Sequence, residues 1–376
     1  MPFDRYNRDI SYLRISLTDA CNLRCVYCMP EKMTFLPRED LLSDAELHRL
    51  IGLFAAVGFR KIRFTGGEPT LRPALVDLVA RAARTPGIET IGLTTNGVLL
   101  AELAAPLRAA GLRSVNISLD TLDPEKFKKI TRWGQLDKVL AGLDAAAQSG
   151  LRVKLNAVVS RGTNDHEDVV ALARYTVTQP WQVRFIEQMP FGNNATFQNQ
   201  SIVTEDELRA VLAEAYGPLE LVNQGRLDGE ARLYRIAGAP GCIGFISPVS
   251  KPFCADCTRL RLTAEGVLRL CLLRDNEMDL RPLLRGGADD AMLTRRQPHR
   301  RRGRHESRRG AAALRAARDP GPARRGPRRR RRARARCRAA TVRRARRAAP
   351  PLKPPRRGGR TRAGRVNGRR ACAARR

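Results

Sequence analysis

Alternation of strand-like and helix-like segments constrains the fold of this chain more than any other feature. Short runs rich in β-branched and apolar residues fall at 12–17, 61–65, 91–95, 114–119, 152–159 and 182–187. Between them, apolar residues recur with helical spacing at 44–57, 73–84, 99–110, 136–149 and 166–178, and again at 205–215. In the first helix Leu47, Leu50, Ile51 and Phe54 share a face, with Ser43 placed as N-cap. Gly58, Gly111 and Gly150 stand where helix C-termini favour glycine. Six strand–helix units imply a parallel sheet with right-handed crossovers. An open doubly wound sheet and a barrel, complete or partial, both satisfy the alternation.

Beyond residue 217 the pattern changes. Short strand-like pieces at 219–222, 232–235, 244–246, 259–262 and 268–270 alternate with Gly and Pro, a loop-rich region ending near Leu293. Residues 293–376 then hold 34 basic and two acidic residues, leaving 36 basic and 35 acidic in residues 1–292. The net charge of +33 therefore belongs to the end of the chain, and the rest is almost neutral. This excludes reading the whole chain as a basic nucleic-acid binder. Residues 294–376 are mostly Arg, Ala, Pro and Gly and lack the apolar surface to offset chain entropy, so the sequence predicts disorder there. The expected division is 1–217, 218–293 and 294–376. No run of eighteen apolar residues occurs, and Met1–Ile10 has no apolar signal region, so a cytoplasmic protein without a membrane span is expected.

Nine cysteines, an odd number in tight groups, argue for metal ligation over a disulfide framework. Cys21-x-x-x-Cys25-x-x-Cys28 follows the first strand. Three thiolates on one tight loop can hold three irons of a [4Fe–4S] cubane and leave the fourth open to a chelating small molecule. The zinc alternative is weaker here, because the spacing differs from zinc-ribbon pairs and the chain has four His, none close by in sequence. Gly66-Gly67-Glu68-Pro69 follows the second strand, and paired glycines let the backbone approach a ligand. Cys254-x-x-Cys257, then thirteen residues, then Cys271, forms another triad; a structural zinc ribbon with Cys242 as a further ligand stays open for it. Arg259 and Arg261 alternate on a strand and so share a face, a suitable clamp for a polyphosphate or else a solvated surface.

In parallel barrels, functional groups gather at the carboxyl ends of the strands. The cysteine loop, Gly66–Glu68, Thr94–Gly97, Ser118 with Asp120, and Met189 all fall at such ends, whereas Lys154 lies early in its strand.

The strings TDACNLRCVYCMP, RFTGGEP, TTNG, RFIEQM and FCADCTRLRLT, over roughly residues 5–293, resemble the radical S-adenosylmethionine superfamily and, within it, the GTP 3′,8-cyclase family of molybdenum-cofactor biosynthesis. The resemblance implies an α/β fold, an incomplete (β/α)6 parallel barrel with a small C-terminal iron–sulfur region. It implies that Cys21, Cys25 and Cys28 hold one [4Fe–4S] cluster and that Tyr27, Gly67, Ser118 and Met189 contact S-adenosylmethionine. Cys254, Cys257 and Cys271 would hold a second cluster, and Arg14, Arg63, Thr94, Lys154, Arg259 and Arg261 the GTP. The implied reaction removes hydrogen from ribose C3′ and closes C3′ onto purine C8. Implied partners are an electron donor such as flavodoxin or ferredoxin, a second copy of the chain in a homodimer, and cyclic pyranopterin synthase downstream.

The chain departs from the family after about Leu293. Members end in Gly-Gly, which completes their active site; this sequence ends Ala373-Ala374-Arg375-Arg376. The Arg/Ala/Pro/Gly composition is what a GC-rich gene yields in a shifted reading frame, and a genuine basic arm that binds nucleic acid is the rival reading. On the resemblance, this end leaves S-adenosylmethionine cleavage possible but cyclisation impaired. A peptide-modifying radical enzyme with an auxiliary cluster is the other alternative, and the Arg259/Arg261 pair favours an anionic nucleotide over it.

Overall fold

The computed structural model describes residues 8–189, 202–272, 277–287 and 289–290. All lie in the first of two units, Met1–Arg302. The stretch 294–376, expected to be disordered, lies outside the described residues.

Twelve strands are described: β1 Tyr12–Ser16, β2 Lys61–Thr65, β3 Thr90–Thr95, β4 Ser114–Ser118, β5 Arg152–Val159, β6 Gln182–Glu187, β7 Leu219–Leu221, β8 Arg232–Ile236, β9 Cys242–Ile246, β10 Arg259–Leu262, β11 Val267–Arg269 and β12 Glu277–Asp279. The helices are α1 Asp44–Ala56, α2 Leu75–Arg84, α3 Leu100–Ala109, α4 Pro124–Thr131, α5 Leu136–Gln148, α6 Glu167–Thr178, α7 Glu205–Tyr216 and α8 Arg281–Arg285. Ser43 caps α1 in a full capping box with Glu46, and Thr204 does the same for α7 with Glu207. Helix α4 was not anticipated. Asp123 caps it through the Glu125 and Lys126 amides, with Pro124 opening the first turn, but eight residues are too few for a clear period.

The strand order is β12-β11-β10-β1-β2-β3-β4-β5-β6-β9-β8-β7. Every pairing from β10 through to β9 is parallel, so two strands from beyond residue 217 extend the parallel run on either side. Antiparallel partners then finish both edges. Eight inter-strand steps separate β10 from β8, about 38 Å in a flat sheet with strands about 4.8 Å apart. Yet Glu230, two residues before β8, forms an ion pair with Arg259 of β10 at 3.0 Å. The sheet therefore curls until its two sides meet across a lumen, an incomplete barrel.

Side chains alternate across this sheet with unusual consequences. Leu13, Ile15, Ile62, Phe64, Leu93, Val115, Ile117, Leu155, Val183 and Phe185 point outward and are buried in the main apolar core. Each such side chain contributes roughly 1.5–3 kcal/mol of burial. The opposite face carries Tyr12, Arg14, Lys61, Arg63, Thr94, Asn116, Lys154, Asn156, Gln182 and Arg184. Most parallel barrels fill this space with branched apolar residues. Here the lumen is polar, so its wall is built for a polar ligand.

Candidate active site

The two cysteine triads sit at opposite mouths of the barrel. Cys21, Cys25 and Cys28 follow β1, at the carboxyl end of the parallel strands. Cys254 and Cys257 precede β10, which runs parallel to β1 with Tyr12 beside Arg259, and so they lie at the amino end. The β10–β11 hairpin pairs Arg261 with Arg269 and brings Cys271, two residues further, back toward Cys257. Cys257 and Cys271 both act electrostatically on Arg261. From Tyr12 to Leu17 the intervening strand rises about 16 Å, at about 3.3 Å per residue.

In the first triad, burial pushes the Cys25 thiol up, and Asp120, Cys28 and Cys21 add to it. Burial followed by Cys21 and Asp120 does the same at Cys28. Burial also raises Cys21, and a bound cation would relieve the crowding of thiolates at Cys25 and Cys28. By donor chemistry alone, three thiols on one loop would suit a cubane with one iron left open.

A second layer holds this loop. Gly67 donates its amide to Thr18 O at 2.7 Å, and Glu68 donates to Ala20 O at 2.7 Å. A Cβ on Gly67 would overlap the carbonyl oxygens of Asp19 and Ala20, so only glycine permits this approach. The Glu68 carboxylate is buried and accepts from Thr70 Oγ1 at 2.6 Å, Thr95 Oγ1 at 2.7 Å and the Asn96 amide at 2.7 Å. Asn96 in turn donates to Asn22 Oδ1 at 2.7 Å and to Cys21 Sγ at 3.9 Å. Glu68 thus ties the end of β3 to the cysteine loop and is itself fully occupied.

Tyr27 Oη donates to Asp120 Oδ2 at 2.7 Å, and Asp120 Oδ1 accepts from the Val158 amide at 2.8 Å. Burial raises the Asp120 carboxyl to about 6 against the pull of those two hydrogen bonds. Beside them lies a cavity of about 180 Å³ lined by Val26, Tyr27, Val158, Asn164 and Gln188, among others. Ser118 ends β4, and Met189, half-buried, follows β6 by two residues at the same mouth.

Along the lumen stand seven cations: Arg14, Lys61, Arg63, Lys154, Arg184, Arg259 and Arg261. Two carboxylates oppose them. Glu230 accepts from Arg14 at 2.6 Å and lies 3.0 Å from Arg259, while Asp228 accepts from Lys154 at 2.6 Å and Gln182 at 2.9 Å. Arg63 is buried and donates to Tyr12 Oη, Leu93 O and Ser114 Oγ. Gly92 on β3 leaves the space its guanidinium fills.

Several titratable wall groups are shifted downward, whereas Arg14, against its burial, is raised by Tyr12 and Glu230. Burial, with Arg184 next, lowers Lys154 to about 8 despite Asp228. Burial also lowers Arg184 and Arg261 to about 10, helped by neighbouring arginines. Burial alone would raise Tyr12, but Arg14 and Arg63 outweigh it and bring the phenol down to about 8. Arg14 Nε, Asn116 Oδ1, Gln182 Oε1 and Arg184 Nη2 are buried without a hydrogen-bond partner among the described residues. Buried polar groups are rarely left unpaired, so these atoms mark where a ligand's polar groups fit.

Each residue singled out from the sequence falls at one of these places. Tyr27 lies within the first cysteine loop, Gly67 packs against the chain leading into it, and Ser118 and Met189 stand at or just past strand ends at the same mouth. Arg14, Arg63, Thr94, Lys154, Arg259 and Arg261 line the lumen. Lys154, out of place among strand ends, lies on the amino side of β5 and faces the second triad's half of the lumen. Sequence reasoning missed Lys61, Arg184, Asn116, Asp228 and Glu230. The strands' polar–apolar alternation was the available signal for the first three, and the turn holding the two acids had none. Cys242 opens β9, where its Sγ accepts from Arg235 at 3.5 Å.

A parallel partial barrel with three cysteines in the loop after its first strand defines a radical S-adenosylmethionine protein, and the Radical SAM superfamily model matches residues 15–175. A crystal structure of Streptococcus suis SuiB shares the fold, with a TM-score of 0.52 at 14% identity over 78% of this chain and 70% of that one. The Molybdenum Cofactor Synthesis C model matches residues 181–307. GTP 3′,8-cyclase 1 of Pseudomonas aeruginosa is 49% identical over 284 residues, 75% of this chain and 85% of that protein. GTP 3′,8-cyclase of Heliobacterium modesticaldum is 49% identical over 294 residues, 78% and 90%. The chain belongs to the GTP 3′,8-cyclase family. No described helix is long and apolar enough to cross a membrane.

Proposed function

We propose that this chain closes ribose C3′ of GTP onto purine C8, giving (8S)-3′,8-cyclo-7,8-dihydroguanosine 5′-triphosphate, the first step of molybdenum-cofactor biosynthesis. The observation that carries the reading is a cationic lumen with a cysteine triad at each mouth. Cys21, Cys25 and Cys28 would hold one [4Fe–4S] cluster, and Tyr27, Gly67, Ser118 and Met189 would contact S-adenosylmethionine. Cys254, Cys257 and Cys271 would hold the second, at the mouth of the lumen that would take the purine. Bound, the first cluster and S-adenosylmethionine supply a one-electron cleavage and the radical that takes the C3′ hydrogen.

The chain's own residues do the rest. Arg14, Arg63, Lys154, Arg259 and Arg261 receive the phosphates, and Thr94 contributes a hydroxyl on the same wall. The electron donor is of the flavodoxin or ferredoxin class, the assembly a homodimer in the cytoplasm, and the product passes to cyclic pyranopterin synthase.

Anaerobic reconstitution tests this reading. About eight irons per chain are expected at four per cluster. GTP should alter the electron paramagnetic resonance spectrum of the reduced protein, and Cys257→Ala should remove that response. Turnover with GTP should give cyclised product alongside 5′-deoxyadenosine. Zinc at the second triad, or a spectrum indifferent to GTP, overturns it.

A further inference from the structure

Three of the lumen cations that the nucleotide reading assigns to phosphate are already occupied, and by one short turn. Asp228 and Ala231 form an antiparallel bridge around Gly229 and Glu230, a two-residue turn with Gly229 in the left-handed region at φ 70°. Its two carboxylates, two positions apart, enter the lumen. Glu230 takes Arg14 and Arg259, and Asp228 takes Lys154 and Gln182. The Glu230 side chain is 9% exposed, so it has given up its water for these partners. The turn reaches the lumen from the β8 side, whereas Arg14 and Arg259 come from β1 and β10 on the other.

We propose that the Asp228–Ala231 turn is a displaceable anionic plug, whose carboxylates stand in for phosphate oxygens until the nucleotide drives them out. The proposal rests on the lumen being the nucleotide site. A carboxylate and a phosphate compete for the same N–H donors, and both are anions, so they repel one another at short range. Ala231 is buried with Leu233 and Ile246 and anchors the turn, so what yields is its bridge and its lumen contacts, with Gly229 as the pivot on which the two carboxylates swing out. Apparent affinity for a phosphate-bearing ligand is then reduced by the fraction of molecules with the turn withdrawn. A ligand without phosphate bypasses the plug.

The test measures equilibrium binding to the reconstituted full chain with GTP, tripolyphosphate and guanosine as separate probes. Glu230→Gln and Asp228→Asn keep shape and remove charge. Each variant should bind GTP and tripolyphosphate about three- to tenfold tighter, with guanosine unchanged. Equal or weaker GTP and tripolyphosphate binding in both variants overturns the plug, and makes the acids positioning groups for the arginines. If tripolyphosphate binding tightens but GTP fails to bind at all, the plug stands and the nucleotide reading fails. Hydrogen exchange in the wild-type chain gives a readout independent of any variant's folding. The amides of Asp228 and Ala231, bonded across the turn, should exchange faster with tripolyphosphate bound. Slower or unchanged exchange there refutes displacement.

Discussion

Tyr27 donates its phenolic hydrogen to Asp120 across 2.7 Å, joining the cysteine loop to the end of β4. Tyr27 lies between two cysteines of the first triad, so this bond fixes the loop where S-adenosylmethionine is proposed to bind. Hydrogen bonds to charged groups contribute about 1.5–3 kcal/mol. Asp120→Ala should therefore weaken S-adenosylmethionine binding roughly 10- to 100-fold while GTP binding stays near wild type. Equilibrium dialysis with each ligand checks this. Equal losses for both ligands would mean general damage to the barrel.

Gly67 is held against the Asp19 and Ala20 carbonyls, with no room for a Cβ. Gly67→Ala must push the cysteine loop away from β2. The expected result is loss of the first cluster alone, about four irons remaining from about eight. The second triad lies at the other mouth and should keep its iron. Retention of all the iron would show that the loop adapts to the methyl group.

The two triads should fail in different ways. Cys25→Ala leaves two thiolates on the first loop and should abolish S-adenosylmethionine cleavage. Cys257→Ala should leave slow, uncoupled cleavage but stop cyclisation. Chromatographic measurement of 5′-deoxyadenosine and of the cyclised product separates the outcomes. Identical profiles for the two variants would refute the division of labour.

The parallel framework was legible in the sequence because its outer faces must be apolar. β2, β5 and β6 appear at the residues expected, and the glycines at 58, 111 and 150 do adopt positive φ at helix ends. What local pattern cannot convey is pairing between distant segments. The runs at 244–246 and 259–262 read as strands, but nothing in them says that they join β6 and β1 in parallel. For the same reason Arg259 read as either clamp or surface until β10 was placed beside β1, with Arg14 facing Arg261. Glu230 was invisible as a site residue, since its partners lie 216 and 29 positions away and only the curl of the sheet brings them together.

Lys154 makes the pH dependence of nucleotide binding a test of the lumen. Burial and Arg184 lower it to about 8 from an ordinary 10.5. Below that pH the ammonium is charged; above it the charge is lost. A triphosphate placed against it favours the charged form, so binding takes up protons near pH 8. GTP affinity should hold from pH 7 to 7.5 and then fall as pH rises through 8, by up to about tenfold per unit for one linked proton. Tyr12, also brought down to about 8, works in the same direction, because a tyrosinate adds negative charge to the wall. Stability of the free chain runs the other way. The unfolded lysine holds its proton up to about 10.5 while the folded one releases it near 8, so this group makes stability rise with pH across that window. Lys154→Arg keeps a positive charge throughout and should flatten the lysine's share of the affinity profile; Tyr12→Phe should remove the remainder. Titration calorimetry in two buffers of different ionisation enthalpy measures the proton uptake directly. Wild-type affinity that is flat from pH 7.5 to 9, or a slope that survives both substitutions, would show that the phosphates do not lie against this wall.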